Sequence, residues 1–137
     1  MEVVAAGATL EEVFVRAALG VLALAVDPES VQARDVREVR AHGRTPEALL
    51  AHWIGECLYV HEVEGFVCRR LELAVFDPEP RPGGEPLRLH SFVHGEEIDP
   101  TRHRLKTAIK AAPPSGVSIR PIGAGYEAKI TVEVQCL

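Results

Sequence analysis

Residues 45–76, TPEALLAHWIGECLYVHEVEGFVCRRLELAVF, contain a helix and a strand in direct succession. Thr45 and Pro46 predict a helix start, because threonine caps exposed amide groups and proline fits the first helical turn. Apolar residues then recur at helical spacing up to Gly65, which favours a helix end. Beyond Gly65, apolar and polar residues alternate with the period of a strand. The segment therefore predicts a fold that contains both kinds of element.

A second amphipathic helix precedes this segment. Thr9 and Glu12 form a capping box, and apolar residues recur at helical spacing until Asp27-Pro28 ends the helix. Strands are predicted at residues 1–6, 35–42, 67–76, 87–93, 117–122 and 126–136. We therefore predict an α+β, two-layer sandwich in which both helices pack on one face of a mixed or antiparallel sheet of about six strands.

Composition is typical of one globular domain over residues 1–137. The hydrophobic fraction is 47% and the charged fraction is 26%. A formal charge of −5 argues against wide contact with nucleic acid, which normally needs a basic stripe. The three cysteines, Cys57, Cys68 and Cys136, form no close pairs, so we expect reduced thiols in a cytoplasmic protein. The longest apolar runs fall short of the roughly 18 residues of a membrane span.

The last predicted strand carries one carboxylate of interest. Tyr126 and every second residue after it are mostly apolar, whereas Glu133 lies on the opposite, polar face. One interpretation is a solvated glutamate paired with a neighbouring lysine. The other is a ligand for a hard cation such as calcium, which requires several oxygen atoms and accepts backbone carbonyls among them. Further ligands would then come from elsewhere in the protein.

The segment 105–111 is short and basic. As a strand it would place Lys106 and Lys110 on one face, with His103 just before it. One interpretation is an exposed cationic edge strand, whose lysines discourage stray pairing. Another is a basic patch of His103, Lys106 and Lys110 that faces an acidic partner or a phosphate. A phosphate-directed enzyme using His103 and Lys106 is the least favoured interpretation, because no pair of nucleophile and base is visible.

Four groups of motifs, in this order and with these gaps, resemble the archease family across nearly the whole chain. The first three are Gly7-Ala8-Thr9-Leu10-Glu11-Glu12; Leu49-Leu50 with Trp53-Ile54, Glu56, Leu58-Tyr59 and Glu64-Gly65-Phe66; and Gly95-Glu96 with Asp99-Pro100, Arg102-His103, Lys106-Thr107 and Ile109-Lys110-Ala111. The fourth is the final strand from Tyr126 to Val134.

The resemblance implies a non-catalytic cofactor of a GTP-dependent, RtcB-type RNA ligase, which joins 3′-phosphate or cyclic-phosphate RNA ends in tRNA splicing and RNA repair. Archeases promote guanylylation and turnover of the ligase and bind a divalent metal, calcium. RNA would be engaged indirectly, through the ligase. The alternative is a chaperone-like interaction module that modulates a tRNA-modifying enzyme, such as a methyltransferase, without metal.

The resemblance also implies metal ligands. In the family the metal is held by an aspartate of an N-terminal Asp-His-Thr-Ala-Asp-like strand and by an Asp-hydrophobic pair in the last strand. Aligning Gly125-Tyr126 with the family's Gly-Trp places Glu133 and Val134 at that pair. A metal held between the first and last strands implies that Glu133 lies beside the beginning of the chain. The N-terminal stretch would fall just before Met1, so the sequence is expected to lack this ligand. Pro113 and Pro114 also replace a Thr-aromatic pair of the family.

Overall fold

The computed structural model describes residues 1–80 and 82–135. Within these ranges lie two α-helices and eight strands, and neither helix is long and apolar enough to cross a membrane. In chain order they are β1 (Glu2–Gly7), α1 (Leu10–Ala25), β2 (Asp35–Gly43), α2 (Pro46–Glu62), β3 (Phe66–Asp77), β4 (Leu87–Glu97), β5 (Ile109–Ala111), β6 (Val117–Ile122), β7 (Gly125–Thr131) and β8 (Glu133–Val134). Cys136, which ended the last predicted strand, lies outside the described residues.

Both helices begin at the predicted caps. The Thr9 hydroxyl accepts a hydrogen bond from the Glu12 amide at 3.2 Å, and the Thr45 hydroxyl accepts one from the Ala48 amide at 3.1 Å. The Glu12 carboxylate in turn accepts a hydrogen bond from the Ala8 amide at 2.9 Å. These bonds satisfy amide groups that a helix start leaves without partners.

The α+β class is confirmed, and every pairing between the described strands is antiparallel. The described strands number eight rather than about six, and they form three sheets, β1-β7-β6, β2-β4-β3 and β5-β8. The predicted last strand is divided at Val132. The Val132 amide donates to the Met1 carbonyl, whereas the Gln135 amide donates to the Ala108 carbonyl. Side-chain alternation continues through such a change of partner, so periodicity could not reveal it.

Strand β3 departs from the simple alternation predicted for it. Its pairing with β4 shifts between Cys68 and Arg70 and again between Leu73 and Val75. An extra residue at a bulge reverses the side-chain faces beyond it. Phe76 consequently packs edge-to-face on Phe14, with ring centroids 4.9 Å apart.

One core joins the helices to the sheets. The Phe14 and Trp53 rings stack at 6.4 Å between the two helices. The buried Trp53 indole donates to the Ser91 hydroxyl at 2.8 Å, and this hydroxyl donates to the Val39 carbonyl at 2.9 Å. Each helix contacts strands of both three-stranded sheets, rather than one face of a single sheet as predicted.

Candidate functional site

The two ends of the described chain meet at β1 and β7. The strands are antiparallel with Glu2 opposite Thr131. The Val132 amide donates to the Met1 carbonyl at 2.8 Å, and the Met1 amino group donates to the Val132 carbonyl at 3.3 Å. Glu133 follows directly. The expectation that Glu133 lies beside the beginning of the chain is confirmed.

Glu133 begins β8, which pairs with β5. Glu133 lies opposite Ala111 and Val134 opposite Ile109. The Glu133 residue is exposed, whereas Val134 is half-buried and packs against the core. Among residues 1–80 and 82–135, no hydrogen-bond or ion-pair partner is found for the Glu133 carboxylate, so the predicted pairing with a lysine is not formed there. The carboxylate is open to solvent and available to a cation.

The described residues around Glu133 do not make a complete calcium site. Calcium takes six to eight oxygen ligands, usually with several carboxylates among them. Across the described ranges, no three His, Cys, Asp or Glu side chains form a cluster that could hold a metal ion. Glu133 and the Val134 carbonyl would supply two oxygen-bearing groups, so the remaining ligands would have to come from outside this set.

The predicted basic patch divides into an exposed and a buried part. Lys106 and Lys110 are exposed, but the His103 side chain is fully buried, with 0% of its surface accessible. His103 therefore does not face a partner together with the lysines, and its burial also counts against a role in attacking a phosphate. The burial of His103 results from the tertiary structure. The turn at Asp99 folds back so that the His103 ring packs under the end of β4, which spacing in the sequence does not disclose.

The buried partner of His103 is the Glu96 carboxylate. Arg102 donates two hydrogen bonds to Glu96, at 2.6 and 2.8 Å, and the Gln32 amide donates a third at 2.6 Å. The His103 Nε2 lies 3.0 Å from the same carboxylate, while its Nδ1 accepts a hydrogen bond from the Asp99 amide. A ring that accepts at Nδ1 carries its proton on Nε2 and donates it to Glu96. We call Glu96, Arg102, His103 and Gln32 the Glu96 cluster.

The Glu96 cluster holds a fixed negative charge inside the protein. The Arg102 hydrogen bonds, followed by those of His103 and the Gln32 amide, hold the pKa of Glu96 well below its ordinary value, although burial opposes them. Both oxygens of the Glu96 carboxylate accept hydrogen bonds from groups of the protein itself. The cluster is therefore a structural clamp rather than a reactive site. In the sequence, the Glu96 cluster is represented by the motif that contains Glu96, Arg102 and His103. This motif indicates the family but does not reveal that the three side chains meet in a buried cluster.

Two of the three thiols are buried and free. Cys57 and Cys68 form no disulfide, as predicted, and Cys136 lies outside the described residues. Burial raises the pKa of Cys57 well above its ordinary value and that of Cys68 to about 12. Both thiols thus stay protonated and unsuited to nucleophilic chemistry.

An open cleft of about 900 Å³ lies where α2 meets the ends of β2 and β4. Its lining includes Arg40, His42, His52, Arg88 and His90. Several of these side chains are paired with acids: Arg40 with Glu38 at 2.9 Å, Arg88 with Asp77 at 2.9 Å, and His52 with Glu56 at 3.3 Å. Because Glu38 and Asp77 balance the charges of Arg40 and Arg88, these two arginines do not give the cleft a net positive charge.

The arrangement of helices and strands has the archease fold. It matches the solution structure of protein 1598 from Methanobacterium thermoautotrophicum with a TM-score of 0.72 at 24% identity, covering 94% of this chain and 88% of that chain. A crystal structure from Thermotoga maritima, of an archease described as a possible chaperone, matches with a TM-score of 0.61 at 15% identity, covering 97% of this chain and 89% of that chain.

Comparison of the sequence with known proteins identifies the family of the chain. The model of the archease protein family (MTH1598/TM1083) matches residues 1–134, and the chain belongs to this family. The archease of Pyrococcus abyssi is 32% identical over 105 residues, which cover 77% of this chain and 70% of that protein. The archease of Methanosarcina mazei is 30% identical over 128 residues, covering 93% of this chain and 85% of that protein.

Proposed function

We propose that this archease is a non-catalytic cofactor that promotes guanylylation and multiple turnover of a GTP-dependent, RtcB-type RNA ligase in tRNA splicing or RNA repair. The observation that carries the proposal is the family match over residues 1–134, which includes every described helix and strand. The net charge of −5 favours contact with the ligase over independent binding of RNA.

A guanylylation assay tests this proposal. The ligase of the same organism is incubated with labelled GTP and RNA ends, with and without this chain, over a range of calcium concentrations. We expect more ligase–GMP and repeated joining by each ligase molecule only when the chain is present. The chain alone should join no RNA. No stimulation at any calcium concentration would contradict the proposal.

Lys106 and Lys110 are proposed to face the ligase or the phosphate of its guanylylated form. Both are exposed, and among the described residues neither side chain has a hydrogen-bond or ion-pair partner. Replacing both by alanine should raise the concentration needed for half-maximal stimulation about tenfold, if each contact contributes roughly 0.7 kcal/mol. The matched control is Lys129→Ala, which removes the third lysine of the chain, exposed on β7, and should leave stimulation unchanged.

Calcium binding is proposed as a separate property, with the Glu133 carboxylate and the Val134 carbonyl as two of the ligands. Because these groups do not complete a site, we expect weak binding by this chain, on the order of millimolar. At about ten times the dissociation constant, calcium should then stabilise the fold by about 1.4 kcal/mol. Thermal melts with calcium or chelator should show this shift, Glu133→Gln should remove it, and Glu97→Gln, which alters another exposed strand glutamate, should retain it.

The second candidate is a chaperone-like module for a tRNA-modifying enzyme such as a methyltransferase, without metal. The observation that favours it is the fold shared with the Thermotoga maritima archease described as a possible chaperone. A melting temperature that is identical in calcium and chelator, together with a changed solubility or specificity of the methyltransferase and no effect on the ligase, would favour this candidate over the first.

A further inference from the structure

Two exposed apolar residues lie at the end of α2. Tyr59 is 53% exposed and Val63 is 63% exposed, and their spacing of four positions places them on one face of the helix. The Val63 amide donates to the Tyr59 carbonyl at 2.8 Å, so the helical geometry extends to Val63. A surface helix normally turns polar residues to solvent. Packing within the described chain therefore does not account for these two side chains.

A third exposed apolar side chain, Leu105, lies on the segment that crosses the end of α1. Leu105 is 50% exposed. The backbone on both sides of this side chain is held in place. Leu105 forms a β-bridge with Val26, and the next amide, that of Lys106, donates to the Ala25 carbonyl at 2.9 Å. Because the side chain is presented from a fixed backbone, a partner would bind it at little cost in backbone ordering.

An open crevice connects these two regions. It has a volume of about 320 Å³ and lies between the end of α2 and the segment that carries Leu105. Glu62 lines the crevice from α2, and Leu105 and Lys106 line it from the facing segment. Glu62 directly precedes Val63 and lies one helical turn from Tyr59. The three exposed apolar residues thus lie at or beside one crevice. We call Tyr59, Val63, Leu105 and this crevice the α2-end surface.

The charges at the crevice favour a protein over RNA as its occupant. Among the described residues, neither the Lys106 ammonium nor the Glu62 carboxylate has an ion-pair partner. His61 also lines the crevice, and burial lowers its pKa, so it adds no charge near neutral pH. Lys106 would complement a carboxylate, whereas Glu62 would repel the continuous row of phosphates of an RNA strand. A protein segment can present acidic and apolar side chains to these different groups separately.

We propose that the α2-end surface is the docking site for a segment of the RNA ligase in which an acidic residue lies beside apolar residues. The inference rests on the proposed function, which already assigns Lys106 and Lys110 to the ligase contact. The apolar side chains of the segment would pack on Tyr59, Val63 and Leu105, and its carboxylate would face Lys106. A few desolvated apolar and aromatic side chains supply most of the affinity of an interface, whereas charges at its rim mainly determine the association rate and the salt dependence.

Titration of the ligase with the labelled chain, at low and at high salt, separates these two contributions. Tyr59→Ala and Leu105→Ala should each raise the dissociation constant about tenfold at both salt concentrations. Replacing Lys106 and Lys110 by alanine should instead weaken binding at low salt and reduce its salt dependence. Val63→Ala, at the most exposed of the three apolar positions, should also weaken binding and should melt like the wild type.

The matched control is Val75→Ala, which shortens another exposed valine. Val75 is 40% exposed and lines the separate cleft beside His52. This variant should bind the ligase like the wild type at both salt concentrations. If Tyr59→Ala and Leu105→Ala also bind like the wild type, the α2-end surface is not the docking site.

A photo-reactive phenylalanine analogue in place of Tyr59 identifies the occupant directly. In a mixture of the whole chain, the ligase and RNA, we expect a cross-link to a ligase segment that contains Asp or Glu next to apolar residues. A cross-link to RNA, to a second copy of this chain or to a ligase segment without such residues would overturn the inference. The proposed function would still stand in these cases if guanylylation is stimulated. A wild-type chain that neither binds nor stimulates the ligase would contradict both.

Discussion

Glu96 fixes the segment that leads to the exposed lysines. Its cluster holds residues 99–103 against the end of β4. The chain then continues along the end of α1, where the Asp27 amide donates to the Arg104 carbonyl and the Lys106 amide donates to the Ala25 carbonyl, both at 2.9 Å. A buried carboxylate that organises a turn thereby determines where Lys106 stands on the surface.

Removing this charge should destabilise the protein in a pH-dependent way. Glu96→Gln should lower the free energy of unfolding by about 2 kcal/mol at neutral pH, the usual contribution of hydrogen bonds to a charged group. The pKa of Glu96 is lowered in the folded state relative to its ordinary 4.5, so this stabilisation is fully present above that value. It is lost as the pH falls through the folded-state pKa. Urea unfolding from pH 7 to pH 2 measures the difference between the two proteins.

The neighbouring exposed residue supplies a control for this experiment. Glu97→Gln should change the free energy of unfolding by less than about 0.5 kcal/mol at any of these pH values. A wild-type advantage over Glu96→Gln that grew on acidification would contradict the account of Glu96.

The two buried thiols should be inert in the folded protein. The low accessibility of Cys57 and Cys68 and their raised pKa values leave almost no thiolate near neutral pH. A Cys136→Ser variant confines the measurement to these two groups. A colour-forming thiol reagent should detect neither in the native variant at pH 8 within minutes and both after unfolding. Rapid reaction of either thiol in the native state would show that its burial is transient.

Among the strands, the pairing of β3 with β4 depends on a close backbone approach at Gly95. A side-chain carbon at this position would overlap the Val67 carbonyl oxygen. Gly95→Ala should therefore cost about 3 kcal/mol or prevent folding, because the backbone of two paired strands would have to move. Gly55→Ala, in the interior of α2 with open space around it, should instead stabilise the protein by up to about 1 kcal/mol. Thermal melts of both variants compare the two effects.

Local patterns predicted the helices better than the sheets. Thr9 and Thr45 disclosed both helix starts because a cap involves residues only three positions apart. The bulges of β3 and the change of partner at Val132 depend on strands distant in the sequence. Neither alters the alternation enough to be recognised before the partners are known.

For the molecule as a whole, the order of short motifs predicted the family, and the match over residues 1–134 confirms it. Less of the candidate site than of the family could be predicted from the sequence. The position of Glu133 beside Met1 followed from the resemblance, whereas the burial of His103 did not, because it results from a turn that folds back onto β4. Metal ligation and the ligase contact stay predictions.

The decisive measurement is the number of RNA molecules joined per ligase molecule when the ligase is limiting and this chain is in excess. The proposed function predicts repeated turnover with the chain and at most about one joining event per ligase without it. Turnover that is identical in both conditions, with a ligase shown to be competent for guanylylation, would contradict it.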